Sequence, residues 1–422
     1  MRIALIAPLM EAVPPRAYGG TERVVARFAE ALSARGHRVT VFANAESRVT
    51  AELVVCRDRS LLTDDRLTEG MADQILMLDR VRRMADRFNI LHFHTEFLHF
   101  PMFEGIAGKT VTTCHSRLDY VGHARFFHRY RDFPLISISD AQRRSLPHAN
   151  WAATIHHGYP LDLFRHLPGE PGNGSGGYLA FLGRIAPDKG IDTAIEIARR
   201  ARVPLKFAAR INAFDRPYCE QEIRPHVDGR QVEYVGEISD AKKSEFLGRA
   251  RALLFPIRWP EPFGPVMIEA MACGTPVIGY PCGAVPEVIA DGVTGRIVGS
   301  IDDAVSALAA VGQLDRATIR CRFEHGFRAT GWPRRISTST DGFSPAAKLR
   351  ARNASLAASL RARRVARCRL PASGWPCVPI RPIPRPGRTE AVQAETRRGC
   401  HDDRGRPTPT ASGPTPDTIS MF

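Results

Sequence analysis

The sequence lacks the long apolar runs that would place it in a membrane. No stretch reaches the roughly 18 apolar residues that a membrane-spanning helix requires. The apolar start of the chain is interrupted by Glu11, Pro14 and Arg16, which leaves it too short for a secretory core with a cleavage site. We therefore expect a cytoplasmic protein, and weak peripheral contact with a membrane stays compatible with this expectation.

The sequence also has little that would form a disulfide framework or a zinc motif. Its nine cysteines are irregularly spaced and include no C-x-x-C pair, which favours free thiols in a reducing compartment. Cys114 and Cys273 are expected to be small, buried apolar residues.

Several catalytic motifs are missing as well. The first strand–helix turn does not carry a G-x-G-x-x-G dinucleotide fingerprint, and the chain has no Walker A loop and no G-x-S-x-G nucleophile elbow. No D-x-D occurs, although metal-dependent sugar-nucleotide enzymes commonly hold their divalent ion with paired carboxylates. A nicotinamide oxidoreductase is therefore the least favoured function, and the sequence predicts neither a metal nor an organic cofactor.

The net charge of +15 is unevenly distributed along the chain. Residues 331–422 carry 17 Lys and Arg against 6 Asp and Glu, whereas residues 1–330 carry 42 against 38. A nucleic-acid partner requires a basic face on a folded part of the protein. Because the first 330 residues are nearly balanced, nucleic acid is not an expected partner.

Alternating strand and helix patterns divide the chain into two α/β regions. Continuous apolar runs, as at residues 2–8, are typical of parallel strands that are covered on both faces. The Gly- and Pro-rich residues 168–177 interrupt the alternation and predict a linker. We predict two Rossmann-like domains, residues 1–167 and 178–330, which face each other across a cleft. The predicted strands are residues 2–8, 39–43, 90–93, 110–113 and 135–139, followed by 178–183, 205–209, 232–236, 252–256 and 276–279.

The segment Pro260–Glu269, PEPFGPVMIE, carries the strongest functional signal. It follows a predicted strand and opens a predicted helix, whose free N–H groups and positive dipole end suit a diphosphate. Gly264 lets the backbone approach a ligand closely. Glu261 lies in the loop, where it can accept hydroxyl hydrogen bonds, and Glu269 is placed in the helix to accept two bonds from a ribose diol.

Three further segments carry candidate site residues. Arg184 and Lys189 follow a predicted strand, and together they can neutralise a leaving diphosphate. Gly19 and Gly20, in the first strand–helix turn, can bind a phosphate or a sugar through backbone N–H groups. His115 follows another strand, from which it can point into the cleft and donate a hydrogen bond or stabilise charge.

A cluster of histidines near residue 94 resembles a metal site at first sight. His92 and His94 would lie on one face of a strand, with Glu96 and His99 close behind them. The strand is expected to be buried and no third ligand is evident, so a metal role is not predicted.

Taken together, these motifs resemble glycosyltransferase family 4, whose members are retaining enzymes of the GT-B architecture. The similarity covers residues 1–330 and rests on YGGTERVV, on FLGRIAPDKG and above all on EPFGPVMIEAMACGTPVIG, which GAVPEVIADGVTG follows. The E-x7-E spacing of the family is kept at Glu261 and Glu269.

The resemblance implies transfer of a hexosyl group from a nucleotide-diphosphate-sugar, bound on the second domain, to an acceptor on the first. At the matching positions, Arg184 and Lys189 would contact the diphosphate, and Glu269 would contact the ribose. Glu261 and the backbone at Phe263–Gly264 would contact the sugar. Gly19–Gly20 match the glycine loop of the family, and His115 matches a histidine near the transferred sugar. Such enzymes are thought to react on one face of the sugar without a protein nucleophile. His115, Arg184, Lys189 and Glu261 would then be the catalytic residues, acting through position and charge. The resemblance leaves open the base, the sugar and the acceptor, which is a glycan, a lipid or a small molecule.

Residues 331–422 depart from the family pattern, which usually ends with a helix that crosses back onto the first domain. This stretch contains 12 Pro, and 16 Arg against a single Lys, so we expect it to be largely disordered. In a neighbouring reading frame near Thr330, a coding stretch can spell an amphipathic helix like the missing one. We therefore hypothesise a frameshift, with a functional arm as the other interpretation, and resequencing decides between them.

Two other functions stay open at this point. Loss of the closing helix would leave a catalytically impaired remnant that binds nucleotide-sugars. A sugar-nucleotide epimerase of the same architecture would carry similar motifs. Comparing transfer with binding alone separates the first from an active transferase, and product analysis without an acceptor reveals the second.

Overall fold

The computed structural model describes residues 1–15, 19–64, 70–166 and 177–328 of the chain. The predicted linker, apart from Gly177, and the tail at residues 331–422 lie outside the described residues, as does Tyr18 of the glycine loop. The expectation of a disordered tail and the frameshift hypothesis therefore concern residues that the structure does not describe.

The described part of the first half contains one parallel sheet of seven strands in the order β3-β2-β1-β4-β5-β6-β7. The strands are β1 Arg2–Ile6, β2 Arg38–Asn44, β3 Glu52–Arg57, β4 Ile90–Phe93, β5 Thr110–Thr113, β6 Leu135–Ser137 and β7 Trp151–Thr154. The helices are α1 Gly20–Ser33, α2 Met71–Arg83, α3 Phe100–Phe103, α4 His123–Arg129 and α5 Asp140–Arg144. The order reverses beside β1, so a crevice opens at the carboxyl ends of β1 and β4.

The described part of the second half repeats this plan with six parallel strands in the order β10-β9-β8-β11-β12-β13. The strands are β8 Leu179–Arg184, β9 Leu205–Arg210, β10 Val232–Tyr234, β11 Ala252–Phe255, β12 Val277–Gly279 and β13 Gly295–Ile297. The helices are α6 Ile191–Ala201, α7 Arg216–Tyr218, α8 Asp240–Gly248, α9 Pro265–Ala272, α10 Val285–Val288, α11 Ile301–Val311 and α12 Arg316–Gly326. None of the helices in the described ranges is long and apolar enough to cross a membrane.

Each sheet separates two apolar cores, because successive side chains of a strand point to opposite faces. In β1, Ala4 and Ile6 enter one core while Ile3 and Leu5 enter the other. A strand buried on both faces reads as a continuous apolar run, which is why the sequence predicted these strands correctly. Cys114 and Cys273 are buried free thiols in these cores, as expected.

The predicted fold class, two Rossmann-like α/β domains, is confirmed in the described residues. All ten predicted strands are present, two of them with the predicted ends and the others with ends shifted by one or two residues. The domain boundary stays a prediction, because most of the linker is not described. Tyr159 and Phe164, which precede the linker, pack in a core of the second half.

Polar contacts join the two halves beside the cleft. The Glu287 carboxylate accepts hydrogen bonds from the backbone N–H groups of Asp140, at 2.8 Å, and Ala141. These residues open helix α5, so the second half supplies a negative charge to a helix start of the first. The ion pair between Arg210 and Glu11, at 3.2 Å, also links the halves.

Candidate active site

A cavity of about 180 Å³ lies where the carboxyl ends of the two sheets meet. Predicted residues from both halves line it, namely Gly19, Gly20, Arg184, Lys189, Glu261, Gly264 and Glu269. Residues that the motifs did not single out also line it, among them Arg23, Tyr159, Arg210, Glu237 and Lys243. The fold thus gathers seven of the nine predicted site residues around one space.

The start of helix α9 borders this cavity through Gly264, Pro265 and Val266. Gly264 has a φ of 73°, in the left-handed region that favours glycine, and a Cβ there would lie 2.8 Å from the Met267 side chain. Pro265 suits the first helical position, where its missing N–H removes no helical bond. The loop therefore needs glycine to bring the positive end of α9 to the cavity wall.

Lys189 and Glu261 form an ion pair at the cavity. The Lys189 Nζ lies 2.6 Å from Glu261 Oε2, and both side chains are mostly buried. The indole N–H of Trp259 donates to the same oxygen at 2.9 Å. Glu261 is therefore held by two donors, whereas the sequence alone placed it in the loop without partners.

Arg184 is also paired within the described residues. Its guanidinium lies 2.7 Å from Asp215 Oδ2 and 3.4 Å from Asp188 Oδ1. Burial raises the pKa of the Asp215 carboxyl, while its hydrogen bond with Arg184 acts in the opposite direction. The two carboxylates hold the guanidinium at the end of β8, on the wall of the cavity.

Two residues that the sequence did not reveal bind the Glu269 carboxylate. Lys243 Nζ lies 2.9 Å and 3.0 Å from the two carboxylate oxygens, and the Tyr159 hydroxyl donates to one of them at 3.0 Å. Glu269 is only 4% exposed. Its carboxylate is thereby fixed on the cavity wall. The three contacts use both lone pairs of Oε1 and one of Oε2, so one lone pair of Oε2 remains for a further donor.

The glycine turn of the first half reaches the same cavity. Gly19 has a φ of 148°, and a Cβ at this position would lie 2.6 Å from Pro15. Helix α1 begins directly after it, at Gly20. One turn later, Arg23 forms an ion pair with Asp240 of the second half at 3.1 Å.

Glu22, beside the glycine turn, is a buried acid. It is 4% exposed, and burial together with the nearby Glu11 carboxylate raises its pKa to about 7. A carboxyl group with this pKa holds a proton over most of the range from pH 4.5 to 7, in which an ordinary glutamate is ionised.

This shift gives a pH dependence that Glu22→Gln should remove. The folded protein retains a proton that the unfolded chain releases between pH 4.5 and 7, so this residue makes stability fall as pH rises. We expect the unfolding free energy of Glu22→Gln, relative to wild type, to rise by about 3 kcal/mol from pH 4.5 to pH 8. Urea denaturation of the full chain at both pH values measures it. Glu30→Gln, on the exposed side of α1, is the control, and a pH-independent difference for Glu22→Gln would contradict the assignment.

His115 is not among the cavity-lining residues, but it lies at the carboxyl end of β5 in a row of imidazoles. Its Nε2 lies 2.9 Å from His94 Nδ1, and its ring stacks on His157 at 5.5 Å. Burial, with a smaller contribution from His92, lowers the pKa of His115 to about 3, so the imidazole is neutral at pH 7. Its Nδ1 has no hydrogen-bond partner within the described residues.

The neighbouring histidines serve packing and hydrogen bonding. His92 stacks on His94 at 4.3 Å and contacts the Thr113 hydroxyl at 2.8 Å. His99 stacks on Phe93, and its Nε2 lies 3.1 Å from the Thr112 hydroxyl. In the part of the chain that the structure describes, no three His, Cys, Asp or Glu side chains are grouped to hold a metal ion.

The side chain of Phe263 is buried in the core rather than directed into the cavity. It is 1% exposed and lies 5.0 Å from His157 in an edge-on arrangement. The predicted donor contact at this residue was to its backbone, which the buried ring anchors.

Comparison with solved structures identifies the class to which this fold belongs. Sucrose-phosphate synthase from Thermosynechococcus elongatus superposes with a TM-score of 0.66 and 19% identity, covering 82% of this chain and 100% of that one. Anabaena HepE, solved in complex with UDP-glucose, gives a TM-score of 0.63 and 17% identity, with 81% and 100% covered. The two facing parallel sheets and their shared cleft are those of the GT-B fold.

Family models and a curated relative then define the family. The model described as Glycosyltransferase Family 4 matches residues 18–173, and the model described as Glycosyl transferases group 1 matches residues 170–314. A phosphatidyl-myo-inositol mannosyltransferase from Mycobacterium leprae is 28% identical over 350 residues, covering 76% of this chain and 90% of the relative. The chain belongs to glycosyltransferase family 4, and it is an enzyme that uses a nucleotide-sugar donor. The family predicted from the motifs is confirmed.

Proposed function

We propose that this enzyme transfers a hexosyl group from a nucleotide-diphosphate-sugar to an acceptor hydroxyl, with retention of configuration and without a metal ion. The observation that carries the proposal is the convergence of Lys189, Arg184 and the start of helix α9 on one cleft. The carboxylates of Glu261 and Glu269 border the same space.

The diphosphate is the group that best matches the cationic part of the cleft. Lys189 and Arg184 are both paired with carboxylates. When the donor binds, a diphosphate oxygen would therefore replace one of these carboxylates as the partner of the cation. An ammonium, a guanidinium and a helix start together neutralise the charge that develops on the leaving diphosphate. These groups neutralise the charge that a divalent ion neutralises in metal-dependent sugar-nucleotide enzymes.

The ribose is assigned to Glu269. Lys243 and Tyr159 fix this carboxylate from the protein side, so both of its oxygens keep one orientation. One ribose hydroxyl can donate to the remaining lone pair of Oε2, and a neighbouring hydroxyl can donate to Oε1 when it replaces the Tyr159 hydroxyl or the Lys243 ammonium there. Since the ribose does not react, these bonds hold equally in the bound donor and in the transition state.

Retention follows if acceptor and leaving group use the same face of the sugar. The acceptor oxygen forms its bond to the anomeric carbon as the bond to the diphosphate breaks, and the leaving phosphate oxygen takes the acceptor proton. Glu261 and the neutral His115, whose buried Nδ1 has no hydrogen-bond partner within the described residues, position the sugar. Gly19 and Gly20 close the acceptor side of the site through their backbone.

The acceptor is a glycan, a lipid or a small molecule. The curated relative is a phosphatidyl-myo-inositol mannosyltransferase, so a mannosyl donor and phosphatidylinositol are the first pair to test. A glucosyl donor comes next, because HepE was solved with UDP-glucose.

A donor screen is the first test of this function. The full chain is heated with UDP-glucose, GDP-mannose and ADP-glucose in the presence of EDTA, and its melting temperature is recorded. A ligand at 100 times its Kd stabilises the folded protein by about 2.7 kcal/mol, so one donor should raise the melting temperature by several degrees. No shift with any nucleotide-sugar contradicts the donor assignment.

Transfer and its stereochemistry are tested next with the donor so identified. Product formation on candidate acceptors is followed by mass spectrometry, with EDTA and with added Mg²⁺, and the anomeric configuration is read by NMR. We expect equal rates in both conditions and a retained configuration. Inversion, or a strict need for Mg²⁺, contradicts the mechanism. Donor binding without transfer would identify a remnant, and an altered donor without acceptor would identify an epimerase.

A further inference from the structure

Trp259 lies beside the cleft and contacts two residues that line it, Lys189 and Glu261, in a position that the proposed function does not use. It lies between strand β11 and helix α9, two residues before Glu261, and is partly buried. Its indole N–H donates to Glu261 Oε2 at 2.9 Å, and its ring lies 4.4 Å from the Lys189 ammonium. The same ring lies 5.5 Å from the Arg117 guanidinium, which belongs to the first half. One side chain therefore contacts the donor pair and the opposite half of the molecule.

The loop that carries Arg117 is held firmly in the first half. The Glu96 carboxylate accepts hydrogen bonds from the N–H groups of His115 and Ser116, at 2.8 Å and 3.0 Å. The Gln142 amide donates to the Ser116 carbonyl at 2.7 Å. Glu96 adopts a φ of 51°, a backbone conformation that non-glycine residues rarely keep without such fixed contacts.

Arg117 itself is oriented at the end of this loop. Its guanidinium forms two hydrogen bonds with Asp119, at 2.6 Å and 2.7 Å, and lies 4.9 Å from the Tyr120 ring. The cation beside the Trp259 indole is therefore an oriented guanidinium, and Arg117 lies only two residues after His115 in the chain. Cations are attracted to the face of an indole more strongly than to any other aromatic side chain.

We propose that Trp259 is a positioning residue that couples the loop of His115 to the Lys189–Glu261 pair. The proposal rests on the proposed function, in which Lys189 turns towards the diphosphate when the donor binds. Glu261 would then lose its ammonium partner but keep the indole N–H, so its carboxylate stays oriented towards the sugar. The contact with Arg117 fixes the position of the indole relative to the first half, which binds the acceptor.

This role predicts a particular kinetic signature. Trp259 does not contact the diphosphate or the ribose in this scheme, so its loss should lower kcat and leave the donor Kd nearly unchanged. Trp259→Phe keeps an aromatic ring beside the two cations but removes the N–H donor to the Glu261 carboxylate. A lost hydrogen bond to a charged group corresponds to a fall in kcat on the order of tenfold.

The variants that test the coupling come from both halves. Arg117→Gln removes the cation on the loop side, and Arg117→Lys restores a positive charge. We expect Arg117→Gln to lower kcat and Arg117→Lys to recover part of it. The double variant Trp259→Phe with Arg117→Gln should lose less than the product of the two single effects, because both act through one contact.

Trp151→Phe is the matched control. Its ring also lies beside an arginine, with Arg143 at 5.7 Å, but it belongs to strand β7 and its indole N–H donates to the Leu146 carbonyl instead of to a carboxylate of the cleft. All variants are made in the full chain, and kcat, donor KM and donor Kd are measured with the donor found in the thermal screen. Melting temperatures confirm that each variant is folded.

The outcomes separate the coupling from the function on which it rests. A lowered kcat in Trp259→Phe with a donor Kd within threefold of wild type supports the coupling. Wild-type kcat in Trp259→Phe, or a raised donor Kd with unchanged kcat, overturns it while the transferase function stands. A wild-type chain that transfers no sugar overturns the proposed function, and the coupling with it.

Discussion

Replacement of Lys189 by alanine is expected to lower kcat/KM for the donor by roughly 100-fold or more. Removing one preorganised partner of developing charge costs other enzymes about 10²–10³ in rate. Lys189 Nζ is mostly buried against Glu261, so its loss also leaves that carboxylate without its ion-pair partner. Charge repulsion between Glu261 and the diphosphate then adds to the loss of neutralisation. Steady-state transfer rates of the full chain measure the effect.

The control for this substitution is Lys206→Ala. Lys206 pairs with Glu233 at 2.8 Å across neighbouring strands, and both side chains are more than a third exposed. Its removal should leave the transfer rate unchanged, since surface pairs of this kind contribute little. Near wild-type turnover in Lys189→Ala would remove the diphosphate assignment on which the mechanism depends.

Glu269→Gln is expected to weaken donor binding on the order of 30-fold while kcat changes little. A neutral amide accepts hydrogen bonds from a ribose more weakly than a carboxylate, and it can accept at one atom only. The substitution also removes one of the two carboxylates that the Lys243 ammonium contacts and leaves it with Asp240 at 3.1 Å. The ribose is bound equally in the donor complex and in the transition state. The lost binding energy should therefore raise KM and the donor Kd and leave kcat nearly unchanged.

Calorimetric titration with the donor measures this effect, with Glu245→Gln as its control. Glu245 lies on α8 and pairs with Arg249 on the surface, at 3.2 Å. A fall in kcat with an unchanged donor Kd would place Glu269 at the reacting sugar instead of the ribose. Unchanged kinetics in Glu269→Gln would remove it from the site.

The sequence predicted the strands that are buried on both faces better than those at the sheet edges. Strands β4 and β5 were predicted with correct ends. Edge strands β3, β7 and β13 were not predicted, whereas edge strand β10 was. Strand β13 is only three residues long and contains Arg296. A strand at the edge of a sheet can be short and polar, so it has no apolar run by which the sequence would reveal it.

The candidate site was predictable where a motif is local and not where it depends on distant partners. Gly264 and Glu269 belong to one loop–helix unit, so their spacing alone placed them together. Lys243 and Tyr159 reach Glu269 from 26 and 110 residues away in the chain, and no local pattern indicates such a meeting. The contact between Trp259 and Arg117 also joins two halves, and only the packed fold brings these side chains together.

The central claim, that the cleft recognises a nucleotide through its diphosphate without a metal ion, is tested most directly by binding. The full chain and its Lys189→Ala variant are titrated in EDTA with the nucleoside, monophosphate and diphosphate of uridine, guanosine and adenosine. We predict that one base binds far more tightly as the diphosphate than as the monophosphate, and that Lys189→Ala removes most of this difference. Equal affinity for the three forms of every base, or binding that appears only when Mg²⁺ is restored, would contradict the account.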